Sequence, residues 1–163
     1  MRSITIISGG QTGADRAALD FALEFGLPHG GWCPRGRTAE DGTIDQRYEL
    51  RETPSRRYAQ RTEWNVRDSD ATVVFSIAPK LSGGSALTFA IAERLNKPSL
   101  HLSREAMSAI GANPSQELVG FLAEHQIYRL NVAGPRQSQE PEVGDFVASV
   151  LRSAASIYTN RWD

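Results

Sequence analysis

The sequence predicts an α/β fold, a single domain in which a parallel sheet of about five strands carries helices on both faces. Three observations predict it. Short apolar runs rich in β-branched residues recur along the chain, segments of helical period separate them, and two of the runs end in glycine-rich turns that open directly into a helix. Strands that alternate with helices require crossover connections, and these produce a parallel sheet covered on both sides.

The elements follow in order. Residues 3 to 8 form an apolar run that suits a buried parallel strand. From Gly13 to Phe25, the residues Ala14, Ala18, Phe21 and Phe25 share one helical face, and Gly26 ends the helix. A short second strand is expected near Leu27 to Trp32. Cys33 to Pro54 is irregular and rich in Gly, Pro, Asp and Arg; an aperiodic connection of that length is functional or disordered, and the anchors Trp32 and Tyr48 argue against disorder. Ser55 to Asp68 reads as a helix without a clean apolar stripe, with Arg61, Asn65 and Asp68 on one polar face that is either solvated or the wall of a pocket. Strands are then expected over Ala71 to Ile77, Pro98 to Leu102 and Ile127 to Val132. Helices are expected over Ser85 to Asn96, Pro114 to His125 and Val143 to Tyr158.

At 163 residues the chain supports one core, so residues 1–163 are read as one domain. A net charge of -1 gives no global field for nucleic acid or an acidic membrane, and neither is an expected partner. No apolar run approaches the roughly 20 residues of a spanning helix, and Met1-Arg2-Ser3 leads into a strand without a signal peptide, so the expected location is the cytoplasm. Of the 18 basic residues 16 are Arg, a residue suited to two-pronged recognition of phosphate or carboxylate, although genomic base composition yields the same bias. The single cysteine, Cys33, excludes an internal disulfide; it reads as a small buried hydrophobe or, alternatively, a thiolate for a soft metal.

Ligands of open parallel sheets bind beyond the carboxyl ends of the strands. The turns at 9 to 13 and 83 to 85, the segment from Trp32, and Asn131 to Arg136 all follow strands, so they are expected to converge on one crevice with two amide-lined cups for an anion. The first turn lacks both the third glycine of a dinucleotide fingerprint and the Lys-Ser or Lys-Thr of a triphosphate loop. Thr12 and Asp15 have the spacing of a capping box, so Asp15 is a helix cap or a ligand acceptor; Arg16 faces phosphate or solvent. Ser85 is expected to cap its helix, with Thr88 one turn in. Arg35 and Arg37 clamp phosphate or face water, Glu40-Asp41-Gly42 is a turn or an acceptor pair, and Asp70 caps the start of a strand.

At these residues the chain resembles a known family. Ser8-Gly9-Gly10-Gln11-Thr12-Gly13-Ala14-Asp15-Arg16-Ala17-Ala18-Leu19-Asp20, Gly30-Gly31-Trp32-Cys33-Pro34-Arg35-Gly36-Arg37 with Glu40-Asp41-Gly42, Gln60-Arg61-Thr62-Glu63-Trp64-Asn65-Val66-Arg67-Asp68-Ser69-Asp70, and Asn131-Val132-Ala133-Gly134-Pro135-Arg136 resemble the molybdenum carrier family over about residues 3 to 152. The resemblance implies a Rossmann-like fold, within the broad superfamily of the lysine-decarboxylase-like, cytokinin-activating phosphoribohydrolases. It also implies a homo-oligomer that binds the molybdenum cofactor, a phosphorylated pterin dithiolene also called molybdopterin. In one respect the chain departs from those hydrolases: Gly83-Gly84-Ser85-Ala86 stands where they have Pro-Gly-Gly-x-Gly-Thr-x-x-Glu, and Phe89 or Ala90 takes the place of the acid. N-glycosidic hydrolysis wants a carboxylate near the sugar, so the departure argues against it.

The leading expectation is therefore a non-catalytic binding or carrier protein for molybdenum cofactor or a phosphate-bearing nucleotide. The candidate site comprises Gly9, Gly10, Gln11, Thr12, Gly13 and Asp15 of the first turn, and Trp32, Arg35, Gly36 and Asp41 of the irregular segment. To these it adds Arg61, Asn65 and Asp68 of the polar helix face and Gly83, Gly84, Ser85 and Thr88 of the second turn. The glycine-turn amides would hold phosphate, with Arg35 and Arg61 as clamps, and Asp41, Asn65 and Asp68 would meet a polar ring. No catalytic or metal-ligating residue is assigned. The competing expectations are an enzyme hydrolysing a nucleotide or phosphoribosyl bond, with Glu40, Asp41 or Glu63 as acid or base, and a nucleotide sensor.

Overall fold

Thr5–Ile7 (β1) leads through the first glycine turn into Ala14–Glu24 (α1) and then His29–Gly30 (β2), in a computed structural model that describes residues 3–158. The irregular segment holds two-residue strands: Trp32–Cys33 (β3), Thr38–Ala39 (β4), Gly42–Thr43 (β5) and Arg51–Glu52 (β6). Tyr58–Arg67 (α2), Ala71–Ser76 (β7), Gly83–Arg94 (α3), Ser99–Ser103 (β8), Arg104–Ala109 (α4), Pro114–Glu124 (α5), Arg129–Ala133 (β9) and Val143–Ile157 (α6) follow. The sequence-predicted start at Met1-Arg2 and the last residues of the 1–163 domain lie outside the described residues.

Five strands form one parallel sheet in the order β2-β1-β9-β7-β8, flanked by helices on both faces, a Rossmann-like α/β arrangement. Side chains alternate across a strand. Ala71, Val73 and Phe75 of β7 join the main core, where Phe21 of α1, Leu118 and Leu122 of α5 and Val147 and Leu151 of α6 cover them. On the opposite face α2 and α3 pack through a small cluster of Val66, Ile91 and Ala92. That face also buries polar groups, and Asn131 Nδ2 donates to Thr72 Oγ1 at 3.2 Å.

The sheet sets the place of the crevice. From β1 the chain runs to β2 at one edge and from β7 to β8 at the other, with β9 between them. The loops that follow β1, β7 and β9 therefore meet above their carboxyl ends, where the strand order reverses.

Two expectations change. The second strand is only His29–Gly30, because Gly31, with φ of 129°, turns the chain out of the sheet, and a Cβ there would stand 2.2 Å from the Ser8 carbonyl oxygen. Trp32 and Cys33 pair with Arg51 and Glu52 instead. The short helix α4 was not anticipated; Ser103 caps it, its hydroxyl accepting from the Ala106 N–H at 3.1 Å.

Candidate functional site

The loop after β1 is organised around two side chains. Gln11 is buried; its Oε1 accepts from the amides of Thr12 at 3.0 Å and Glu40 at 2.9 Å. Two amide donors on the same atom fix it as the oxygen, so Nε2 points the other way, and it is buried without an acceptor. Asp15 is 2% exposed, and its Oδ2 accepts from the Gln11 amide at 3.2 Å and from Arg61 Nη1 at 3.0 Å. Burial pushes its carboxyl above the usual range, against the pull of the Arg61 guanidinium.

Arg61 reaches this pair from α2, lying directly over Gly9. A Cβ at Gly9 would fall 1.8 Å from Nη1, so the arginine occupies the space that a side chain at position 9 would need. Its Nε, like Gln11 Nε2, is buried without an acceptor.

Opposite stands the start of α3. Ser82 holds the N-cap position but its side chain does not cap, leaving the first-turn amides with no partner from that side chain. Gln11, Asp15, Arg61, Gly84, Ser85 and Thr88 line one cavity of about 100 Å³, with the more exposed Tyr58 and Leu87 and with Arg136 also in its wall. A second cavity of about 250 Å³, with Ser76, Lys80 and Glu140 in its wall, adjoins it and shares Ser85 and Gln139 as lining. Neither alone reaches the roughly 300 Å³ of a small-molecule site, but together they do. Glu140 is occupied there, its Oε2 accepting from the amides of Ile77 at 2.7 Å and Ala78 at 2.8 Å.

The expected pair of amide-lined cups is thus one such cup and one that holds an arginine. The first turn consumes its own donors: Gln11 N–H goes to Asp15, Thr12 N–H to Gln11, and Ala14 N–H to the Pro135 carbonyl. Thr12 and Asp15 form no capping box; the Thr12 hydroxyl donates to Glu40, and its oxygen accepts from Gln137 N–H at 3.1 Å. Ser85 lies inside α3 rather than capping it.

The other predicted residues lie apart from these two cavities. Thr12, Gly13 and Asp41 border a separate groove of about 410 Å³ between α1 and α6, where Asp41 pairs with Arg16 at 3.0 Å. Gly10 abuts Leu50 and Ile44, Arg35 and Gly83 are exposed, and Gly36 N–H donates to Glu52 at 2.6 Å. Asn65 clasps the Trp32 backbone, its Oδ1 accepting from Trp32 N–H at 2.7 Å and its Nδ2 donating to Trp32 C=O at 2.9 Å. Asp68 accepts from the Trp32 indole at 2.8 Å and is held by Arg67, which lowers its carboxyl to about 2. These three residues shape the segment beside the cleft. Asp70 holds the start of β9 rather than of β7, the strand it leads into, its Oδ2 accepting from the amides of Tyr128 and Arg129. Cys33 is buried with Leu19, Ile44 and Tyr48, and burial pushes its thiol up.

Sequence reasoning did not assign Tyr58, Leu87 or Gln139 to the cleft. Arg136 had a signal, as the last residue of a run that follows a strand. Ser76 and His101 also form a contact that the sequence did not reveal, at 2.7 Å between Oγ and Nε2. Ser76 Oγ makes a second bond at 2.7 Å to the Ala78 carbonyl, which can only accept, so the hydroxyl proton lies there and Nε2–H donates to Oγ. A histidine that donates to serine cannot take its proton as a general base.

A crystal structure of a Syntrophus aciditrophicus SB protein that bears the provisional name molybdenum carrier protein matches this fold with a TM-score of 0.89 and 44% identity, over 94% of this chain and 95% of that one. No curated protein matches. The profile of the circularly permutated YpsA SLOG family matches residues 6–155. The topology carries a mark of such permutation. Counted from β7, the strands lie in the order 2-1-3-4-5, a common doubly wound arrangement, and this chain enters that cycle two strands from its end. On the profile match, the likeness to the solved structure and this strand order, the chain belongs to the circularly permutated YpsA SLOG family.

Proposed function

We propose that this protein binds and carries a small phosphorylated ligand, with the molybdenum cofactor as cargo and a phosphate-bearing nucleotide as the alternative. One observation carries the reading. Gln11 Nε2 and Arg61 Nε are buried donors without acceptors, and both residues line a cleft that faces the uncapped start of α3 and Arg136. An unmet buried donor costs about 1–3 kcal/mol, and a phosphate oxygen would satisfy it with a charge-assisted bond. The donor set fits the phosphate end of the cargo. The provisional name of the Syntrophus aciditrophicus protein supports molybdenum cofactor as the first ligand to test.

A carrier holds its ligand without altering it, and the Ser76–His101 pair is not arranged to activate a nucleophile. We expect a homo-oligomer in the cytoplasm. Titration with molybdenum cofactor and then with nucleoside monophosphates, followed by analysis of the recovered ligand, tests the proposal. Saturable binding with intact ligand is expected, weakened at least about tenfold in Arg61→Gln, in line with the loss of a charged hydrogen bond. Hydrolysed nucleotide, or equal binding by the variant, would overturn it.

A further inference from the structure

Above the donors, the rim of the cleft presents two side chains that the fold leaves open. Tyr58, the first residue of α2, is 37% exposed, and Leu87 on α3 is 42% exposed. Both line the same cavity as Gln11 and Arg61. A tyrosine and a leucine on neighbouring helices could have been buried against each other or replaced by charged residues at no cost to the core, since neither belongs to a hydrophobic cluster.

The surroundings of Tyr58 bear on its use. The guanidinium carbons of Arg61 and Arg136 lie 5.7 and 5.6 Å from its ring centroid. Each is near enough to be attracted by the ring electrons, yet farther out than Arg67 on Trp64, which sits at 4.6 Å. Tyr58 keeps 37% of its surface exposed beside these two cations, which stand where a phosphate attached to a ring partner would be drawn.

We infer that Tyr58 and Leu87 form a slot for a flat heteroaromatic ring, so that the cleft selects ring-bearing phosphates over sugar phosphates and inorganic phosphate. The inference rests on the anion-binding reading above and adds the specificity-determining residues. The ring would slide between the Tyr58 face and the Leu87 side chain while its phosphate reaches Gln11 Nε2 and Arg61 Nε. Stacking on an aromatic side chain tolerates different rings, because every such ring has a π-face. Both side chains are exposed, so their replacement leaves the fold intact.

The test is calorimetric titration of the full chain with inorganic phosphate, ribose 5-phosphate and guanosine 5′-monophosphate, in wild type, Tyr58→Ala, Tyr58→Phe and Leu87→Ala. The wild type is expected to bind the nucleotide most tightly. Tyr58→Ala should weaken the nucleotide about tenfold or more while leaving the two ring-free ligands unchanged, and Tyr58→Phe should retain affinity. Leu87→Ala should cost the nucleotide about threefold or more, as expected for lost apolar contact. If Tyr58→Ala weakens all three ligands alike, the tyrosine only positions its arginines and the slot is refuted; an unchanged nucleotide affinity refutes it as well. If none of the three ligands binds the wild type, it is the anion-binding reading that fails.

Discussion

Arg61 joins Asp15 through one terminal nitrogen at 3.0 Å, while its Nε is left buried and unmet. The ion pair therefore locates the guanidinium without using all its donors, as the proposed anion site requires. Asp15 offsets the charge of Arg61. Its raised carboxyl means that the folded chain holds that proton more tightly than the unfolded chain does, so this group's contribution to stability falls as pH rises above about 3.8. Asp68 behaves in the opposite sense. Held near 2 by Arg67 and the Trp32 indole, it stays ionised in the fold while the unfolded chain takes up a proton near 3.8. Its stabilisation is complete above pH 4 and is lost as pH falls to about 2. Solvent screening of this partly exposed group limits the contribution to about 1 kcal/mol. Asp68→Asn should flatten the wild-type fall in stability between about pH 4 and 2, measured by denaturant unfolding at each pH.

Among the elements, the segment between Cys33 and Pro54 depends on Arg37. This arginine is 8% exposed with φ of 52°, and its guanidinium donates to the carbonyls of Ile44, Asp45, Tyr48 and Leu50. The chain here wraps a buried cation and Tyr48 instead of forming regular strands, so order is held by side chain to backbone bonds. Arg37→Leu should destabilise the protein by about 3 kcal/mol in chemical unfolding, because it orphans several carbonyls at once. An effect under about 1 kcal/mol would show that the loop holds itself. The sequence made the regular elements legible because apolar spacing registers in composition: every expected strand and helix has a counterpart. The sequence alone does not decide Arg37 between phosphate and water, because a buried arginine bound by carbonyls has no periodic signature. Likewise, nothing local in Gly9-Gly10-Gln11 announces that Arg61, far along the chain, will cover the turn.

At the scale of the whole molecule, the strand order brings the loops of β1, β7 and β9 together, and this convergence was readable from the positions of the turns. Which face of each turn looks into the crevice was not, since it depends on where bulky side chains come to rest. At the first turn Gln11, with Arg61 of α2 lying over Gly9, stands where free amides are expected, and Asn65 and Asp68 spend their hydrogen bonds on Trp32. On the proposed function, an anion enters between the first turn and the start of α3. A crystal structure with inorganic phosphate tests it most directly. Phosphate oxygens are expected about 3 Å from Gln11 Nε2 and Arg61 Nε, with the α3 amides on the far side. Phosphate lodged instead in the α1–α6 groove beside Arg16 and Arg152, with both buried donors still unmet, would contradict it.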